Sequence, residues 1–180
     1  SDEKRLAHPE GSPLSAQARP EPDLSWSAYA SFEDLFRGPR FEVKQGLEVL
    51  TPLVCSQDLP GPGDGFAHQV LDLGCGRGEW LELLREKGVH ALGVDLNPEF
   101  VSRCRARGLH VSQDEAMACL NSLPEGSVPV VSAFHLLEHI PPDQRTSLLR
   151  ECFRVLAPGG LALLETPNPR NILVGSGDFY

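Results

Sequence analysis

The chain has 180 residues, 41% of them hydrophobic and 23% charged, ordinary proportions for one soluble globular domain able to bury a sizeable core. A formal net charge of -9 argues against the clustered basic footprint that broad nucleic-acid binding needs. No apolar run approaches the ~20 residues that cross a bilayer, no charged-then-apolar leader opens the sequence, and the cytoplasm is the expected compartment. Cys55, Cys75, Cys104, Cys119 and Cys152 are odd in number and form no C-x-x-C pair. They read as reduced thiols, not as a disulfide framework or a zinc ribbon.

Residues 1–23 hold Pro9, Pro13, Pro20 and Pro22 among polar residues and read as a disordered tail. A helical lead-in and loop follow over 24–66. Trp26, Tyr29, Phe32 and Phe36 recur at helical spacing until Gly38-Pro39 punctuates. A second helix is expected over 40–54, with Phe41, Val43, Leu47, Leu50 and Val54 as its apolar set. The stretch "CSQDLPGPGDGFA" is loop by its Pro and Gly content.

From 67 to 180 strand and helix patterns alternate. The expected strands are "HQVLDLG", "VHALGVDL", "LHVSQ", "VPVVSAF" and "LALLET". Between them lie "EWLELLREKG", closed by Gly88, and a helix capped by Asn97 with Pro98 at its first position. The short helix "EAMACLNSL" and a helix opened by Pro142 and stopped by "PGG" complete the series. Arg103, Arg105 and Arg107 read as a solvated helix face. This alternation makes the fold α/β, a doubly wound, mainly parallel sheet with right-handed crossovers. Ligands of such sheets bind beyond the carboxyl ends of the strands, where strand order reverses.

"AFHLLEHIPP" contains His135, Glu138 and His139 as H-x-x-E-H, the zinc signature of inverzincin proteases. That motif needs an α-helix to bring both histidines to one face. Here a β-branched apolar run precedes it and Pro141-Pro142 follow, leaving room for about one turn. No metal is expected. Both histidines instead stand near the carboxyl end of the fourth strand, in the ligand crevice.

"VLDLGCGRGEW" is the stronger signal. Gly74, Gly76 and Gly78 follow a strand and open a helix, as G-x-G-x-G and not the dinucleotide spacing G-x-G-x-x-G. Glu79 occupies the third glycine's place, and its carboxylate competes with a pyrophosphate for the helix N-terminus. The turn therefore suits a ligand without phosphates. Asp95 ends the second strand, where an acidic side chain can accept bonds from both ribose hydroxyls. Asp114 and Glu115, after the third strand, can each accept a bond from an adenine amino group.

"VLDLGCGRGEW", "GVDLNP", "AFHLLEHI", "VLAPGG" and "LLETPNP", in this order, resemble class I S-adenosylmethionine-dependent methyltransferases over about residues 67–168. The lead-in "FEDLFRGPRFEVKQGLEVLTPLV" is similar to that of methyltransferases found with bacterial surface-polysaccharide enzymes. The resemblance implies S-adenosylmethionine as cofactor, with Gly74, Cys75 and Gly76 around its methionine part, Asp95 on its ribose, and Asp72 also among the cofactor-binding residues. Leu96 would flank the adenine, with Asp114 or Glu115 on its amino group, and Phe134 and His135 would close over the site. Arg40 would pair with the cofactor carboxylate.

Methyl transfer from a sulfonium is an in-line displacement with a neutral leaving group, so alignment can supply most of the acceleration. A hydroxyl acceptor gains from a base, for which His139 is the first candidate and His135 the second. Glu138 either orients His139 or faces solvent. The expected acceptor is a small molecule or a carbohydrate. The family's fold usually continues past the fifth strand, whereas about fourteen residues follow "LLET" here. A truncated chain, with an exposed sheet edge open to a homodimer, is the expectation. A non-catalytic binding module and a nicotinamide-dependent oxidoreductase are the alternatives, the second disfavoured by Glu79.

Overall fold

The computed structural model describes residues 25–55, 59 and 66–168. The expected tail over 1–23, most of the loop before 66 and the chain from 169 lie outside the described residues. No described helix is long and apolar enough to cross a membrane.

Five parallel strands form one sheet in the order β3-β2-β1-β4-β5. They are β1 (Val70–Leu73), β2 (Ala91–Asp95), β3 (Val111–Gln113), β4 (Val128–Phe134) and β5 (Leu156–Glu165). Every residue of β1 and β4 is buried, which is why "VLDL" and "VPVVSAF" read as continuous apolar runs without alternation. The connecting helices are α4 (Glu79–Glu86), α5 (Pro98–Ala106), α6 (Ala116–Ser122) and α7 (Pro142–Val155). Ala116, Leu120, Leu148, Cys152 and Val155 of α6 and α7 pack with Leu71, Leu73 and Val131. Trp80, Leu83 and Leu84 of α4 pack with Val70, Val130 and Phe134 in a separate cluster. The sheet is thus wound on both faces, and strand order reverses between β1 and β4. Their carboxyl ends, Leu73 and Phe134, mark the ligand crevice.

Three helices precede the sheet: α1 (Trp26–Phe36), α2 (Arg40–Glu48) and α3 (Thr51–Val54). The single helix expected over 40–54 is broken because Pro52 has no amide to give the Glu48 carbonyl. The Thr51 hydroxyl donates to that oxygen instead, at 2.8 Å. The fifth strand also differs from expectation: it begins at Leu156 and carries "PGG" within it. Its register jumps from Val128 opposite Leu156 to Val130 opposite Leu161, so the Pro-Gly-Gly turn bulges out of the ladder.

Asp72 lies at the sheet centre, 2% exposed, and accepts a 2.7 Å bond from the Ser132 hydroxyl. Burial pushes its pKa up from 3.8 to about 7, against the opposing pull of the Ser132 bond. Because the folded value lies above the unfolded one, the folded state holds this proton longer, and stability is lost as pH rises through that window. Asp72→Asn removes the titration. Its stability relative to the parent should therefore grow between about pH 4 and about pH 7, measured by urea unfolding. A pH-independent difference would mean that Asp72 is ionised throughout.

Candidate functional site

A cavity of about 330 Å³ opens at the crevice, a volume at the lower end of ligand pockets. Its floor is the turn after β1, where Gly74 and Gly76 take φ values of 66° and 50° that side chains rarely adopt. The turn is held from the neighbouring strand. The Gly76 amide donates to Asp95 Oδ2 at 2.7 Å, and the Asn97 amide donates to Asp95 Oδ1 at 2.8 Å. Burial raises the Asp95 pKa and these two amide bonds oppose the rise. Each carboxylate oxygen keeps a further lone pair for a ligand, and Asp95 lines the cavity.

Asn97 caps α5 as expected, its Oδ1 accepting from the Glu99 amide at 2.9 Å, while its Nδ2 donates to the Trp26 carbonyl at 3.1 Å. On the far wall stand Leu96, Asp114 and Glu115. Both oxygens of Glu115 are engaged in capping α6, accepting from the Met117 amide at 3.1 Å and the Ala118 amide at 3.0 Å. Asp114 accepts one local bond, from the Glu115 amide, and is the freer of the two acids.

The opposite wall comes from the end of β4. Phe134 packs edge-on against Trp80, with ring centroids 5.5 Å apart. His135 then turns the chain with φ 55°, the one non-glycine residue at positive φ among the described residues. Its amide donates to the Glu165 carbonyl at 2.9 Å. The two ring nitrogens each lie 3.3 Å from a carboxylate, Nδ1 from Glu138 and Nε2 from Glu165. Leu137–His139 is a 3-10 turn, so H-x-x-E-H lacks the α-helical face that a zinc site of that type requires. His139 lines the cavity, and its ring has no hydrogen-bonding partner among the described residues.

The roof was not legible in the sequence. Trp26, Tyr29, Glu33 and Arg37 fall on one side of α1 and line the cavity, while Phe32 and Phe36 face outward, 53% and 68% exposed. Tyr29 stacks edge-on against Phe100 of α5, at 6.3 Å between centroids. Burial and the neighbouring Glu33 push its phenol up to about 12, so it stays protonated. The signal was present as a 26, 29, 33, 37 spacing, but it mixes apolar with charged residues.

Of the residues expected at the cofactor, the structure gathers Gly74, Gly76, Asp95, Leu96, Asp114, Glu115, Phe134 and His135 around the cavity, with His139 beside them. Three are placed elsewhere. Asp72 is sealed between β1 and β4 by its bond to Ser132. The Cys75 side chain turns toward β2, into space left by Gly93, where a Cβ would come within 2.8 Å of its sulfur. Arg40 donates to the Arg77 carbonyl at 2.6 Å and to Glu82 at 2.8 Å, and it lies 3.3 Å from Glu79. Arg37, three residues earlier in "RGPR", lines the cavity instead.

A polar network behind the turn fixes it to α1 and α5. Buried Arg77 donates to the Gly38 carbonyl at 3.1 Å and lies 2.8 Å from Glu79, close but poorly aligned for a hydrogen bond. Glu79, 4% exposed, is the first residue of α4, and its carboxylate turns to Arg77 and to Arg40, 3.3 Å away. Arg103 bridges Glu99 at 2.9 Å and Asp34 at 2.7 Å. Arg105 donates to the Val111 carbonyl and Arg107 to that of Arg77. The arginines read as a solvated face are thus tied to specific acceptors.

A family model described as a methyltransferase domain matches residues 36–174. A protein of Mycolicibacterium smegmatis named "probable S-adenosylmethionine-dependent methyltransferase" is 36% identical over 101 residues, covering 56% of this chain and 38% of that protein. A ubiquinone biosynthesis O-methyltransferase of Xanthomonas oryzae is 35% identical over 105 residues, covering 56% of this chain and 43% of that one. The chain thus spans about four tenths of the length of these curated relatives. The crystal structure of an S-adenosylmethionine-dependent methyltransferase from Archaeoglobus fulgidus aligns with a TM-score of 0.73 at 32% identity, covering 82% of this chain and 62% of that one. A match over so much of the chain, on a sheet whose crevice has the geometry described above, makes this protein a member of the class I S-adenosylmethionine-dependent methyltransferase family.

Proposed function

We propose that the whole protein methylates a hydroxyl of a small-molecule or carbohydrate acceptor, using S-adenosylmethionine held in the crevice between β1 and β4. The observation that carries this reading is Asp95, whose two oxygens hold the glycine turn and retain lone pairs on the cavity wall. Those lone pairs suit the two ribose hydroxyls. A buried glutamate, Glu79, stands where the dinucleotide fingerprint has its third glycine, which counts against a nicotinamide dinucleotide.

In this reading Asp114 accepts from the adenine amino group, and Leu96 packs against the ring. Main-chain atoms of Gly74 and Gly76 border the methionine portion, with Arg37 near its carboxylate. When bound, the cofactor supplies a methyl group already activated on a positively charged sulfur. The protein's own work is alignment, together with removal of the acceptor proton. His139 suits that removal because its ring is unengaged among the described residues and borders the cavity. His135, held between Glu138 and Glu165, suits positioning better. The described cysteines are free thiols, in keeping with a reducing, cytoplasmic setting. Among the described residues β5 ends the strand order, and in this reading two copies pair along it.

Asp95→Ala should weaken S-adenosylmethionine binding by ~1–3 kcal/mol in calorimetry, through lost ribose bonds and a loosened turn. Unchanged affinity, or tighter binding of NADH than of S-adenosylmethionine by the parent protein, would displace the cofactor assignment. His139→Ala should slow methylation by about 100-fold while leaving cofactor affinity near normal. An unaffected rate would make His139 part of the scaffold.

A further inference from the structure

A second hollow of about 500 Å³ adjoins the cofactor cavity, between α1 and the turn after β4. Tyr29, Glu33, Arg37, His135 and His139 line both spaces, so the two are continuous at the edge where His139 stands. The hollow has two features that the cofactor reading does not use. On its outer rim, Phe32 and Phe36 hold their rings 4.3 Å apart while remaining half or more exposed. At its inner wall is Glu138, whose side chain is 4% exposed. One Glu138 oxygen faces His135; the other, Oε2, is buried with no hydrogen-bond partner.

A buried carboxylate oxygen without a donor is destabilising, and proteins seldom keep one without a reason. The terminal torsion of a glutamate is soft, so a small rotation presents Oε2 to the hollow. An ionised carboxylate can only accept, so the group it awaits is an O–H or N–H donor. Of the hollow's lining residues, Glu33 and Glu138 outweigh Arg37, which itself lies 3.8 Å from Glu33. That balance disfavours an anionic acceptor. Exposed aromatic rings at the rim favour a ligand with a flat apolar face.

We propose that this hollow is the acceptor subsite, and that Glu138 anchors one hydroxyl of a neutral, polyhydroxylated ring lying against Phe32 and Phe36, with a second hydroxyl presented at His139. The inference rests on the cofactor reading above and names the acceptor class for the same site. A sugar and a catechol share this chemistry, a flat-faced ring with neighbouring hydroxyls.

The test titrates the S-adenosylhomocysteine-loaded protein with methyl glucoside, with catechol and with glucose 6-phosphate, reading ligand resonances by saturation transfer. One of the two neutral rings should bind, and which one decides the source. Glu138→Gln should weaken that ring at least tenfold, and Phe36→Ser, at an exposed position, at least threefold. Neither change should alter the affinity for S-adenosylhomocysteine. Binding of neither ring, binding that Glu138→Gln leaves unchanged, or preference for the phosphate ester would overturn the proposal. Failure of S-adenosylhomocysteine itself to bind would remove the cofactor reading and this inference together. Cofactor binding without either ring would remove only the inference.

Discussion

The hydrogen bond from the Gly76 amide to Asp95 is the constraint on which the crevice depends. A turn through successive positive-φ glycines has little intrinsic preference for one shape, and its entropy cost is high. Asp95, at the end of the neighbouring strand, selects the shape by taking that amide on one oxygen and the Asn97 amide on the other. Asn97 in turn starts α5 and reaches the main chain of Trp26, so the floor, one wall and the roof meet at two adjoining side chains. Asp95, which lines the cavity, is thus also the residue that organises the turn.

The second constraint is polar and lies behind the turn. Arg77 is buried, yet it is surrounded by Glu79, Asp34 and the Gly38 carbonyl, and its own carbonyl accepts from Arg40 and Arg107. Burying a guanidinium is tolerable only with such compensation. Through it the link between α1 and α2 is attached to the glycine turn. The roof helix takes its position from charges beneath the crevice as much as from apolar contact.

How much could be read beforehand follows from which features are local. β1 and β4 were legible because strands covered on both faces produce uninterrupted apolar runs. The Asn97 cap and the Gly88 stop are likewise decided within a few residues. H-x-x-E-H could be set aside because the prolines at 141 and 142 leave space for a 3-10 turn alone. The roof was not legible. Its helix crosses the open end of the sheet, so its inward side carries Glu33 and Arg37 while Phe32 and Phe36 face out, reversing the usual meaning of an apolar stripe. That Arg37 lines the cavity while Arg40 turns away required knowing that Glu79 and Glu82 of α4 lie within reach of Arg40. No spacing rule supplies that. Glu115 was indistinguishable from Asp114 until its two oxygens were seen capping α6.

The manner in which α1 is fastened bears on how it responds to salt. Its attachments to α5 include the Asp34–Arg103 pair, both partners more than a third exposed, and the contact of Asn97 with the Trp26 carbonyl; of its own residues only Ala30 is fully buried. Exposed ion pairs contribute about 0–1 kcal/mol each and are screened by salt. Attachments of this kind yield to salt more readily than the buried strands of the sheet do. High ionic strength would then loosen the seat of α1 on α5 before it loosens the sheet.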